Sequence, residues 1–474
     1  MQRILLARAN AHTADAIAFF PPLGILYIAA AVKQKTDHRV SVFDDWSPAG
    51  MLGRFEKRLA EFAPTVVGLS AMAPSAGLMH ALAESAKRFD PAILVVAGGA
   101  HATASPEDCL DDPNIDVAVL HEGEQTFLNL LSARESGQPF GSIAGLALRD
   151  ADGELIRTPP ADFIPDLDQL PCPEWNLIDL PFYWKHRSIT SVGPSRSLPL
   201  FASRGCPFGC IYCHKVMGKR FRARSPQNIL DEIAGMLERY DLRALEIIDD
   251  TFNYDREWAQ TILEGIVSRG WPRRLRLRFP SGFRVDRLDR EMLDLARAAG
   301  TDYFVLGIES GSPRIQKLIK KNVDLKRADE LIRYAAGKGM FVAGFFMAGF
   351  PTETEADLRA TYDFAVQSAL HQAMFYVTIP FPGTELHRKY FQKQGRFSHP
   401  GHVYNRAGYN LSEVPDDRFL AMRRRAIMRF YGSPRRLWRL FWAYPNRRSL
   451  PAYLPFMLRS MFSRTRDPAE IRIT

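Results

Sequence analysis

Cys206, Cys210 and Cys213 lie in the run Arg204-Gly205-Cys206-Pro207-Phe208-Gly209-Cys210-Ile211-Tyr212-Cys213, a C-x3-C-x2-C spacing with no fourth cysteine close by. Three thiolates on one short loop suit three irons of a [4Fe–4S] cluster, which normally takes four Cys ligands. The fourth iron is then open to another ligand, a catalytic arrangement rather than a structural one. Two other chemistries use the same residues. A structural zinc ion wants a closed tetrahedron of four ligands. The candidates for its fourth ligand are His214, adjacent to Cys213, and Cys172, far upstream. A disulfide within the loop leaves one thiol unmatched.

The rest of the chain bounds where such a loop can sit. At 474 residues it is too long for one ordinary core, so two or three domains are expected. A hydrophobic content of 46% with 24% charged residues is globular. Five cysteines, three of them in one loop, do not make a disulfide framework. A reducing, cytoplasmic compartment is the expectation. The start Met1-Gln2-Arg3-Ile4-Leu5-Leu6 lacks the long apolar core of a signal peptide. No uncharged apolar run reaches the roughly 18 residues of a spanning helix.

The N-terminal elements come next. Strand-like Val/Ile/Leu runs fall at residues 3–7, 40–44, 65–70, 93–97 and 117–120, and a helical pattern covers 23–35. Continuous apolar strands separated by helices indicate a buried parallel sheet. Residues 1–150 are therefore expected to be a doubly wound, Rossmann-like domain with its ligand at the carboxyl ends of the strands. Residues 151–197, rich in Pro and Asp, read as a linker. From 198 to about 385 the alternation resumes, with strand-like runs at 198–203, 244–248, 274–279, 303–307, 341–347 and 373–378. The fold class is α/β, with a helical region over 386–474.

The cysteine spacing, with Tyr212 before the third cysteine, resembles the radical S-adenosylmethionine (SAM) superfamily. The resemblance implies that the open iron chelates the amino and carboxylate groups of SAM. It also implies that one electron from the cluster releases a 5′-deoxyadenosyl radical. Six strand–helix units fit the partial (β/α)6 barrel of that family, whose site lies at the C-terminal ends of the strands. Tyr212 is then expected against the adenine. Asp249 and Asp250 stand where the family binds the SAM amino group, and an acidic group there suits an ammonium. Either Asp250 or Thr251 also serves as a cap for the next helix. Ser281 and Arg284 suit ribose and carboxylate recognition. Glu309 and Ser310, in Gly307-Ile308-Glu309-Ser310-Gly311, resemble the adenine- and ribose-binding segment. The run from Gly344 through Thr354 completes the cradle, and Thr352 with Glu355 matches a capping box.

The loops of the first domain resemble the cobalamin-binding domain that precedes many radical SAM cores. The resemblance assigns Gly24, Ser70, Gly98, Gly99, His101, Glu122 and Gly123 to cobalamin. One departure stands out. Where some cobalamin domains carry an Asp-x-His-x-x-Gly loop, this chain has Asp44-Asp45-Trp46-Ser47-Pro48-Ala49-Gly50, which contains no histidine.

The expected function is a cobalamin-dependent radical SAM methyltransferase acting on an unactivated carbon of a small molecule. A flavodoxin- or ferredoxin-like electron donor is implied. The alternative is a radical cyclisation, oxidation or rearrangement without methyl transfer, and a third is a non-catalytic Fe–S or cobalamin module. No substrate base, nucleophile or triad is identified. Tyr376, His371 and His387 lie near expected strand ends, where core or surface duty is the simpler account.

The net charge of +9 sits in the tail. From residue 418 onward there are 14 arginines against Asp467 and Glu470, so the remainder of the chain carries −3. Arginines there interleave with Phe430, Tyr431, Trp438, Phe441, Trp442, Tyr444, Tyr453, Phe456 and Phe462. A helical lid over the barrel or peripheral contact with an anionic membrane suits that mixture. Nucleic acid is not expected.

Overall fold

The computed structural model describes residues 1–10, 19–47, 50–186, 188, 190, 192–193, 195–391, 410–447 and 450–451. Arg448, Tyr453, Phe456 and Phe462 of the basic tail, and part of the 44–50 loop, lie outside these.

In the first domain, β1 (Arg3–Arg8), α1 (Leu23–Lys35), β2 (Arg39–Phe43), α2 (Met51–Phe62), β3 (Val66–Ser70) and α3 (Ala76–Phe89) lead to β4 (Leu94–Gly98). Two short helices follow, α4 (Gly99–Ala104) and α5 (Pro106–Leu110), then β5 (Val117–Val119) and α6 (Gly123–Ser136). The sheet order is β2-β1-β3-β4-β5, all parallel, the expected doubly wound arrangement. Two antiparallel strands extend it, β6 (Leu146–Arg149) and β7 (Leu155–Arg157). The domain therefore ends beyond residue 150, and the segment read as linker begins inside its last hairpin. The turn Asp150-Ala151-Asp152-Gly153 between them reads as loop, and β7 carries only Leu155 and Ile156 as apolar residues.

Leu23, Ile25, Leu26, Tyr27, Ala29, Ala30, Ala31 and Val32 of α1 are all buried. A helix apolar on every side must be covered on every side. Its Leu, Ile and Val side chains join one continuous core with the barrel, while the other face of the sheet has a core of its own around Phe55, Leu59, Leu82 and Val95.

After α7 (Leu180–Lys185) the barrel begins with β8 (Ser197–Leu200). The strand pair β9 (Ser203–Arg204) and β10 (Arg222–Ala223) closes the base of the cysteine loop in antiparallel register, Arg204 opposite Arg222. Then come α8 (Pro226–Arg239), β11 (Ala244–Ile247), α9 (Arg256–Ser268), β12 (Arg276–Phe283), α10 (Arg290–Ala298), β13 (Thr301–Glu309), α11 (Pro313–Leu318) and α12 (Leu325–Gly337). The core ends with β14 (Phe341–Ala348), α13 (Glu355–Gln367), β15 (Gln372–Val377) and α14 (Glu385–Tyr390). The six barrel strands pair in parallel in the order β15-β14-β13-β12-β11-β8, an open sheet rather than a closed ring.

Two helices of the tail are described, α15 (Asp416–Tyr431) and α16 (Pro434–Ala443). α15 packs against α13 and edge strand β15 of the barrel, and α16 against α15. Tyr431 Oη bonds both the N–H and the C=O of Ala373 on edge strand β15, which answers the unpaired backbone such an edge presents. Arg436, buried at 3% exposure, donates to Leu370, Val366 and Ser368 carbonyls at the end of α13. It is a helix C-cap rather than a solvated charge.

Candidate active site

The cysteine loop leaves β9 at Gly205 and returns at β10. Gly205 has φ +84°, and a Cβ there would meet the Arg220 carbonyl oxygen at 2.3 Å. Only glycine fits. Ile211 pins the loop to the barrel rim by donating to Ile319 O and accepting from Leu386 N. Ile211, Ile315, Ile319, Phe350 and Leu386 form a small core beneath it.

Cys206 and Cys210 are half-buried and Cys213 is exposed, three free thiols on one loop, a donor set that fits three irons of a [4Fe–4S] cluster. Burial, then the Cys206 and Cys210 sulfurs, push the Cys213 thiol up to about 12. A metal charge held by the loop would offset that shift and keep the Cys213 sulfur as a thiolate.

The two aspartates after β11 separate. Asp249 is 1% exposed and accepts from Ala202 N at 2.8 Å and Ser203 Oγ at 2.6 Å. It ties β11 to the start of the cysteine loop and does not face open space. Asp250 is solvent-accessible, and its carboxylate neighbours Cys213. Loss of solvation among its neighbours raises its pKa. Neither Asp250 nor Thr251 caps the next helix, because Asp255 does, accepting from Trp258 N.

Ser281 falls inside β12, which runs four residues longer than expected through a register shift at Gly282 (φ +102°). Its Oγ donates to Ile248 O. Arg284 lies flat over Phe208 of the cysteine loop, 3.5 Å from guanidinium carbon to ring centroid. It also pairs with Asp286 and donates to Lys321 O. Arg284 thus braces the loop, with its Nε and Nη2 already engaged.

Glu309 ends β13 at φ +65°, a left-handed conformation costly for a residue with a Cβ. Its Oε1 lies 3.2 Å from Lys321 Nζ. A Cβ on Gly307 would come within 2.8 Å of that ammonium and 2.9 Å of that carboxylate, so Gly307 clears the space for the pair. Burial pulls the Lys321 pKa down, but Glu309 and then Cys210 outweigh it and leave it raised. Sequence reasoning did not single out Lys321, which follows Lys320 in a turn and carries no pattern; the fold brings it to Glu309. Tyr212 packs on Phe350 at 5.8 Å between ring centroids, and burial with Glu309 lifts its phenol well above the usual value.

Ser310 is fully buried and bonds Thr361 Oγ1 and Ser312 N, away from the open bowl. The expected capping box is displaced by two residues. Thr354 and Asp357 form it, while Thr352 sits at φ +60° in the preceding turn. Glu353 closes that turn by accepting from Gly349 N and Phe350 N. His371 is core, accepting from Val342 N, and burial pushes it down to about 4. Phe345 and Met347 of β14 and Met374 and Tyr376 of β15 are the half-buried members of their strands, paired Phe345 to Met374 and Met347 to Tyr376. They share one face of the sheet.

The residues assigned to cobalamin divide in the same way. A Cβ on Gly24 would meet nothing within 4 Å, and one on Gly98 only Leu69 O at 3.9 Å. Both leave room at the strand ends. Gly99 (φ +83°) is instead packed on Ser70 and Ala71, and Gly123 on Ile28 of α1. His101 turns to Asp108, with Nε2 2.9 Å from Oδ2. Trp46 occupies the histidine-less loop, buried, with Arg8 stacked 4.4 Å over it and Asp44 paired to Arg8. The room at Gly24 and Gly98 thus fits a large group at the strand ends.

Glu122 is committed elsewhere. Its carboxylate accepts from Arg204 Nη1 at 3.0 Å, Arg222 Nη1 and Nη2 at 2.8 and 2.9 Å, and Ile164 N at 2.8 Å. Arg204 also pairs with Glu124. Burial alone would raise the Glu122 pKa, but Arg222 and Arg204 outweigh it and hold it low. Both ends of the cysteine loop are thereby fastened to the loop after β5.

Comparison with known proteins agrees with this geometry. The family model for the B12 binding domain matches residues 6–131, and that for the radical SAM superfamily matches residues 200–365. The chain is 32% identical over 418 residues to cytidylyl-2-hydroxyethylphosphonate methyltransferase of Streptomyces wedmorensis, covering 78% of this chain and 77% of that protein. It is 30% identical over 369 residues to an uncharacterized methyltransferase of Pyrococcus horikoshii, covering 77% of each. The solved structure of the radical SAM methyltransferase TsrM from Kitasatospora setae, with cobalamin and a [4Fe–4S] cluster bound, aligns with a TM-score of 0.68. That alignment covers 83% of this chain and 75% of that one at 20% identity, a likeness of fold. The chain belongs to the radical SAM superfamily, in the group of enzymes that carry an N-terminal B12-binding domain and use a [4Fe–4S] cluster, SAM and cobalamin.

Proposed function

We propose that the chain is a cobalamin-dependent methyltransferase acting on an unactivated carbon of a small-molecule substrate. The observation that carries this reading is the buried junction of Glu122 with Arg204 and Arg222, which sets the B12-binding domain against the cysteine loop. Cleaving SAM needs only the barrel; fixing a second cofactor domain at the barrel mouth suits group transfer. The naming of both sequence relatives as methyltransferases supports it.

When bound, the cluster and SAM supply a 5′-deoxyadenosyl radical, and cobalamin supplies the methyl group. The chain binds and orients. Cys206, Cys210 and Cys213 hold the cluster. Asp250 is sited for the SAM ammonium and Lys321 for an anionic group of SAM. Tyr212 and Phe350 offer an aromatic wall for adenine. Phe345, Met347, Met374 and Tyr376 give the bowl an apolar side that excludes water from a reactive radical. A flavodoxin- or ferredoxin-like protein supplies the electron.

The exposed Trp438, Phe441 and Trp442 of α16, with Arg435 and Arg439, suit peripheral contact with an anionic membrane. Among the described residues no helix is long and apolar enough to cross one. Salt-sensitive flotation with anionic vesicles is the expected result; its absence rejects the contact.

The methyl-transfer reading is tested by product analysis. Anaerobically reconstituted protein with SAM, cobalamin and reductant is expected to give both 5′-deoxyadenosine and S-adenosylhomocysteine. Deoxyadenosine alone points to radical chemistry without methylation and rejects the proposal.

A further inference from the structure

A second set of metal-binding side chains lies in the first domain, away from the cysteine loop. His80 on α3, His101 on α4 and Asp108 on α5 each bring one ligand atom within 4.8 Å of the others. His101 Nε2 is 2.9 Å from Asp108 Oδ2, and His80 Nε2 is 3.8 Å from the same oxygen. Ligands about 2.0–2.2 Å from one ion leave neighbouring ligand atoms roughly 3.3–3.5 Å apart in a tetrahedron. The three atoms are therefore within a side-chain adjustment of a shared ion.

A fourth residue orients the set. His80 Nδ1 is 2.8 Å from Asp112 Oδ2. With its Nδ1 proton directed at that carboxylate, His80 keeps the Nε2 lone pair for the centre. A carboxylate behind the histidine, fixing its tautomer and raising its basicity, is the usual surrounding of a metal-bound imidazole. His101 is buried, while His80 and Asp108 are 27% and 46% exposed, so the centre is held from inside and reached from solvent.

We propose that His80, His101 and Asp108 bind a divalent first-row transition ion of the zinc class, with water completing the coordination. Two imidazoles and one carboxylate suit such an ion, whereas Mg²⁺ and Ca²⁺ take all-oxygen sets. The ion ties together α3, α4 and α5. Because α4 starts at Gly99, directly after the open edge at Gly98, it also fixes one wall of the B12-binding crevice.

Metal analysis of the cluster-loaded protein tests this. After anaerobic dialysis against buffered Zn²⁺, about one zinc per chain is expected beyond the cluster iron, with nitrogen and oxygen neighbours at about 2.0–2.1 Å and no sulfur in its X-ray absorption spectrum. His80→Ala loses the zinc and keeps the iron, and its melting temperature in chelator matches that of the parent. Asp112→Asn retains zinc with an affinity about 10- to 100-fold lower. No zinc retained by the parent protein, zinc undiminished in His80→Ala, or sulfur in the zinc spectrum would overturn the proposal.

Discussion

Glu122 Oε1 and Arg204 Nη1 lie 3.0 Å apart, each side chain 3% exposed, in an ion pair that joins the B12-binding domain to the strand leading into the cysteine loop. Arg222 completes the cluster from the loop's far end. Truncating one member of a buried ionic cluster leaves the others unpaired, at a cost of about 3–5 kcal/mol. Glu122→Gln is expected to lower the melting temperature and the iron retained on reconstitution together. A variant with parental iron content and stability would show that the junction does not position the loop.

Asp249 and Asp250, adjacent in sequence, are expected to fail differently. Asp249→Ala strands the buried Ala202 N–H and costs about 1–3 kcal/mol of stability. Asp250→Ala is expected to leave stability within about 0.5 kcal/mol and to weaken SAM binding. Thermal melts and SAM titrations of both variants decide it; the reverse pattern contradicts the assignment.

Lys321→Met leaves Glu309 buried without its cation. Hydrogen bonds to charged groups contribute about 1.5–3 kcal/mol, so SAM affinity is expected to fall about 10- to 100-fold. Equilibrium binding to the cluster-loaded variant measures this. Unchanged affinity would remove Lys321 from the site.

Glu353 gives a pH signature. Burial raises its pKa from the ordinary carboxylate value to about 8, despite the N–H groups of Gly349 and Phe350. The folded protein then holds a proton that the unfolded chain releases above about 4.5. The contribution to stability is full below that value and is lost as pH rises through about 8. Denaturation of Glu353→Gln across pH 5–9 is expected to show a flatter profile and a relative gain at the alkaline end. Parallel profiles would contradict the buried, protonated carboxyl.

Much of the fold was legible because its strands are long apolar runs. The helix read at 23–35 is α1 to the residue, and all six barrel strands overlap the runs where the pattern put them. The hairpin of β6 and β7 escaped because its Asp- and Gly-rich turn and polar flanks read as loop. Within the site, spacing alone singles out the three cysteines as a metal-binding set. The partners of single charges were not. Nothing local distinguishes Asp249 from Asp250; the difference lies in which one Ala202 and Ser203 reach across the sheet. Glu122 looked like a ligand residue because it follows a strand, yet Arg204 and Arg222, 82 and 100 residues away in sequence, claim it. Lys321 acquires its role only when the turn after α11 folds back onto β13.

Iron and 5′-deoxyadenosine measured together on one variant test the central claim most directly. Reconstituted parent protein is expected to hold about four irons per chain and to split SAM homolytically on reduction. With Cys206, Cys210 and Cys213 all replaced by alanine, a folded chain is expected to retain neither. Persistence of either the iron or the deoxyadenosine would contradict the account.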